Sequence, residues 1–78
     1  MKITYDSEAD ALYIQLRPIS PGGVENRDLG GGIVADYGTD GLLAGLEILD
    51  ASLLLGKEDL DRVILELSPA RKMAALQD

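Results

Sequence analysis

An alternation of period two, met twice, limits what this chain can fold into more than any other feature. In ALYIQLR, residues 11–17, Leu12, Ile14 and Leu16 alternate with Tyr13, Gln15 and Arg17. In LLAGLEIL, residues 42–49, Leu42, Ala44, Leu46 and Ile48 alternate with Leu43, Gly45, Glu47 and Leu49. Successive side chains of a strand point to opposite faces, so each run predicts a strand with an apolar face turned to the core. Three shorter runs, at 2–5, 24–29 and 33–37, complete about five strands. The third of these strands carries Glu25, Arg27 and Asp28, which suits a sheet edge, where charge deters pairing with other chains. Gly45 stands alone inside its run, a signal of a bulge or of a close backbone approach.

The intervening segments read as turns. Asp6-Ser7-Glu8-Ala9-Asp10 is rich in turn formers, with Asp6 placed for an Asx-type bond to its own backbone. Pro18 ends the second strand, and residues 19–23 form a loop. The Gly30-Gly31-Gly32 run is followed by the strand-like IVADY rather than by a helix, so it lacks the helix N-terminus that a phosphate loop requires. Asp40-Gly41 marks a hairpin turn. Asp50 occupies an N-cap position before a single helical turn at 51–55, with Gly56 as its stop. Leu60, Val63, Ile64 and Leu67 fall at i, i+3, i+4 and i+7, which predicts a C-terminal helix, with a strand over 62–67 as the competing reading. Residues 69–78 are read as a tail or a short helix, leaving 1–68 as one domain.

DYGTDGLLAGLE, residues 36–47, places Asp36, Asp40, Gly41 and Glu47 at positions 1, 5, 6 and 12 of a calcium loop. Position 3 is Gly38, which has no side-chain oxygen, and no helix precedes the loop. In an extended hairpin Glu47 would lie roughly 20 Å beyond the turn, at ~3.3 Å per residue. The turn reading is therefore preferred.

Composition narrows the chemistry. The chain has no cysteine, which excludes disulfides and thiolate metal sites, and no histidine, the commonest metal ligand. Without either, Ser7, Ser20, Ser52 and Ser68 have no usual activating base, so an enzyme is not expected and no cofactor is implied. Tyr5, Tyr13 and Tyr37 are expected on the sheet with their hydroxyls at the rim. Asp6, Glu8 and Asp10 form a local carboxylate group, the one candidate for a divalent ion. The net charge of −7 disfavours direct binding to nucleic acid or to anionic membranes, and suits a basic protein partner. No apolar run approaches the roughly 20 residues of a membrane span, and MKITYDSEAD lacks a signal-peptide core, so a cytoplasmic location is expected.

MKITYDSEADALYIQL and GIVADYGTDGLLAGLEILDAS together resemble the small prokaryotic family called domain of unknown function 2283. The likeness covers residues 1 to 53. It implies a compact strand-rich fold with an appended helix, and no assigned activity. It also implies a size and acidity like those of the antitoxin half of a toxin–antitoxin pair. The motif residues Tyr5, Asp6, Asp10, Tyr13, Asp36, Gly41, Gly45, Glu47 and Asp50 all have structural readings as turn, cap, bulge or rim.

These readings predict an α+β fold: a small, mostly antiparallel β-meander of about five strands with one face covered by a C-terminal helix. A homodimer is expected, because one small sheet leaves an apolar face or edge open. Two functions are carried forward. One is a non-catalytic protein-interaction module, such as an antitoxin-like inhibitor of a basic partner. The other is a small-ligand or divalent-metal domain using Asp6, Glu8 and Asp10.

Overall fold

Each predicted strand is a strand in the computed structural model, which describes residues 1–20 and 22–68. They are β1 (Lys2–Asp6), β2 (Ala11–Gln15), β3 (Glu25–Gly30), β4 (Ile33–Tyr37) and β5 (Leu43–Leu49). A five-residue helix, α1 (Ala51–Leu55), and a 3-10 turn at Lys57–Asp59 follow. The strands form one sheet in the order β1-β2-β5-β4-β3, with every neighbouring pair antiparallel.

This order corrects the expected meander. Three hairpins are present, β1–β2, β3–β4 and β4–β5, but the chain leaves β2 and crosses to the far edge before returning. The slot beside β2 is central, with a ladder on each side. Apolar β5 fills it, setting Ile48 against Leu12 and Leu46 against Ile14. Charged β3 goes to the edge, where its side chains meet water.

The register sorts side chains into two faces. Tyr5, Leu12, Ile48 and Ile33 form one cross-strand row, and Ile3, Ile14, Leu46 and Ala35 form a second on the same face. The opposite face is polar, with a row through Thr4, Tyr13, Glu47 and Val34 and another through Gln15, Gly45, Asp36 and Asn26. A bulge corrects one detail of the expected pattern. Asp36 pairs with Gly45, yet the next pair is Tyr37 with Leu43, so Ala44 is the extra residue. That slip exchanges the faces beyond it. Leu43 therefore takes the apolar side opposite Tyr37, while Leu42, expected in the core, is 60% exposed.

The expected C-terminal helix is absent. Residues 62–67 carry neither helix nor ladder, so the competing strand is not formed either. A helix this short is marginal without a packing surface, and β-branched Val63 and Ile64 lose side-chain freedom in it. The helical content is thus α1 and the 3-10 turn, and the sheet face is not covered as expected. Only Ala35, Ala44 and Ala51 are fully buried among the described apolar residues, and no large side chain is. The expectation of a tail or short helix at 69–78 lies outside the described residues.

Candidate functional site

The polar face holds the buried carboxylate of the described residues, Asp36. Tyr13 leaves β2 and leans diagonally across β5, reaching β4, where its hydroxyl donates to Asp36 Oδ2 at 2.8 Å. Gly45 makes this path possible: a Cβ there would lie 2.6 Å from Tyr13 Cζ and 3.2 Å from the Ile14 carbonyl oxygen. The isolated glycine thus marks a close approach, with the bulge at Ala44 directly beside it. From the edge strand β3, Asn26 Nδ2 donates to Asp36 Oδ1. One carboxylate, only 7% exposed, is thereby held by donors from strands on both sides. Burial, reinforced by the bond to Asp36, pushes the Tyr13 phenol up to about 12. Tyr13 therefore remains a proton donor to Asp36 throughout the neutral range.

A second group ties the two ends of the fold together. Asp10 closes the β1–β2 turn in the left-handed region, at φ 51°. Its Oδ1 accepts from the Tyr5 hydroxyl at 2.7 Å and from the Ser52 N–H at 3.0 Å, and its Oδ2 accepts from Ser52 Oγ at 2.7 Å. Its backbone oxygen accepts from the Ala51 N–H at 2.9 Å. Asp10 therefore caps α1 from 42 residues away. This corrects the expected cap: Asp50 does precede the helix, but at φ 51° and ψ 46° its side chain makes no capping bond. The Ser52 hydroxyl, and then Tyr5, hold the Asp10 carboxyl below its ordinary range, and the same bond raises the Tyr5 phenol. Gly56, at φ 84°, ends the helix as expected.

A third group staples the crossover. Arg17, just past β2, forms a two-pronged pair with Asp40 in the β4–β5 turn, at 2.8 and 2.5 Å, and its Nη2 also donates to the Leu42 carbonyl at 3.2 Å. The guanidinium holds the Asp40 carboxyl down to about 2, helped by the backbone N–H of Leu42. On the apolar side, the Arg27 guanidinium lies 4.6 Å above the centre of the Tyr37 ring.

The candidate metal cluster does not converge. Asp6 Oδ1 accepts from the N–H groups of Glu8, at 3.0 Å, and Ala9, at 3.3 Å, as the predicted Asx-type turn requires. Asp10 is turned toward Ser52, and Glu8 is exposed. No three Asp, Glu, His or Cys residues gather as a metal site would need among the described residues. Of the other motif positions, Gly41 takes φ 80° in the β4–β5 turn, and Glu47 sits opposite Tyr13 on the polar face.

A further feature is an apolar groove of about 440 Å³. Ile3, Leu12 and Ile14 form its floor on β1 and β2, while Leu55, Val63 and Ile64 form its wall. Periodicity does not reveal it, because Leu60, Val63, Ile64 and Leu67 at helical spacing predict a helix packed flat on the sheet. The Tyr13–Asp36 and Asp10–Ser52 contacts were also missed. Parity placed Tyr13, Asp36 and Gly45 on outward faces, but only strand order brings β2 and β4 to either side of β5.

No helix among the described residues is long and apolar enough to cross a membrane. The comparisons with known proteins give one match: a family model described as "Protein of unknown function (DUF2283)" covers residues 2–52. Neither the curated proteins nor the solved structures contain a match.

Proposed function

Because the chain belongs to the DUF2283 family, whose description assigns no activity, we propose a function from geometry alone: a non-catalytic protein-interaction module. The observation that carries this reading is the internal satisfaction of three carboxylates. Asp10, Asp36 and Asp40 each spend their oxygens on donors within the chain. What faces outward is apolar surface and charge in which acidic residues outnumber basic ones, with Lys2, Lys57 and Arg62 also exposed. Arg17 and Arg27 are ion-paired with Asp40 and Glu25, while Glu8, Asp28, Glu58 and Asp61 are exposed. With a net charge of −7, this surface suits a basic protein, as an antitoxin-like inhibitor would require.

The test is capture by the full chain from its native host at low salt, with identification of what is retained. The expected result is a basic protein released by raised salt, since screening weakens attraction between exposed charges. Retention of no basic protein would remove the support for this reading. The divalent-ion alternative predicts that Mg²⁺ or Ca²⁺ raises the thermal midpoint, because a ligand of the native state must stabilise it. The engagement of Asp6 and Asp10 elsewhere favours an unchanged midpoint.

A further inference from the structure

We infer that the outer edge of β1 is where two copies of this chain join, by antiparallel pairing of β1 with β1 about a two-fold axis at Thr4, so that their sheets continue as one. This goes beyond the acidic surface, because it concerns an edge of balanced charge and a second copy rather than a basic protein.

β1 stands first in the strand order and pairs with β2 on one side. No strand among the described residues lies against its other side. The backbone N–H and C=O groups of such an edge are a template for a further strand. Proteins that keep an edge free blunt it with a bulge, a proline or unbalanced charge. The register of β1 with β2 runs without a shift from Lys2 to Asp6, so no bulge turns this edge away. It holds no proline, and its charges are one of each sign, Lys2 and Asp6.

The side-chain order of β1 selects a second copy. A two-fold axis normal to the sheet keeps the faces aligned, so residues that meet across it have like parity in the chain. Centred on Thr4, every residue of β1 finds a partner. Thr4 meets the partner's Thr4, Ile3 meets the partner's Tyr5, and Lys2 meets the partner's Asp6. Each is a favourable cross-strand pair: hydroxyl with hydroxyl, β-branched with aromatic, cation with carboxylate. Ile3 and Tyr5 are each 38% exposed, so the contact also covers their open flanks. Within one copy Lys2 and Asp6 lie roughly 13 Å apart at ~3.3 Å per residue, too far to pair with each other. The other edge lacks this order. To pair with itself along most of its length, β3 must centre on Arg27 or on Asp28, which sets two guanidinium groups or two carboxylates face to face. Its register also shifts between Asp28 and Gly30. Two copies of a chain at −7 repel over most of their surface, and β1 is an edge where they meet with opposite charges opposed.

Sedimentation of the full chain at micromolar concentration tests this. The expected mass is twice 8.3 kDa. Lys2→Glu and Asp6→Lys should each weaken association by about tenfold or more, since either one opposes like charges twice in the dimer. Mixed in equal amounts, the two variants should associate again, because each copy then meets the opposite charge at both positions. A wild-type chain that remains monomeric at high micromolar concentration overturns the inference, as does a mixture that associates no better than its parts. Should Asp6→Lys lose its sheet spectrum, Thr4→Cys decides the matter, because it gives the chain its single thiol. At the axis the facing Cα atoms stand ~4.5–5.5 Å apart, within reach of a disulfide. Oxidation should link this variant into a dimer far faster than Arg27→Cys on β3, and equal rates overturn the inference. None of these outcomes bears on capture of a basic protein through the acidic surface.

Discussion

At the scale of single residues, Gly45 and Tyr13 act as one unit. A methyl group at 45 would enter the space of the Tyr13 ring and crowd the Ile14 carbonyl. Moving the ring would strip a donor from the buried Asp36 carboxylate. Gly45→Ala should therefore lower stability by about 3 kcal/mol, combining overpacking with a lost charge-assisted bond. Urea unfolding checks this, and a loss below ~1 kcal/mol would contradict the close-approach reading. The phenol itself gives a second test. Its folded value, about 12, lies above the ordinary 10.0. Being raised, it contributes stability that is full below pH ~10 and lost as pH rises through the folded value. Tyrosinate absorbance of the wild type, less that of Tyr13→Phe, should show one phenol titrating near pH 12.

At the scale of elements, α1 begins on two left-handed aspartates with opposite roles. Asp10 supplies the capping oxygens, while Asp50 bears the strain and makes no capping bond. An L-residue in this region costs about 1–2 kcal/mol, somewhat less for Asp. Asp50→Gly should accordingly stabilise by up to about 1 kcal/mol. Asp10→Ala should destabilise, because it releases the Tyr5 hydroxyl, the Ser52 N–H and the Ser52 hydroxyl at once. Thermal midpoints moving in opposite directions are the expected result. Equal losses from both would show that Asp50 caps the helix after all.

At the scale of the whole molecule, the connections of the open sheet are tied together by carboxylates that act as ions. Arg17 and Asp40 join the crossover after β2 to the β4–β5 turn, and Asp10 joins the β1–β2 turn to α1. Both carboxyls are lowered, Asp40 to about 2 from 3.8. The stability they lend is therefore complete above the unfolded value and is lost as pH falls through the folded one. For Asp40 this window runs from about pH 4 down to about 2. Urea midpoints across that window should fall more steeply for the wild type than for Arg17→Ala. Identical slopes would show that the pair does not couple to folding.

Local pattern determined much of this protein. Alternation fixed the five strands, Asp6 and Gly41 fixed their turns, and Gly56 fixed the end of α1, because each depends on neighbours in the chain. Tertiary structure alone decided which strand enters the central slot, how the Ala44 bulge exchanges Leu42 for Leu43, and that Asp10 rather than Asp50 caps α1. It also decided that residues 62–67 form neither helix nor strand. Periodicity states which side chains share a face, but it does not contain the partner surface against which that face is buried.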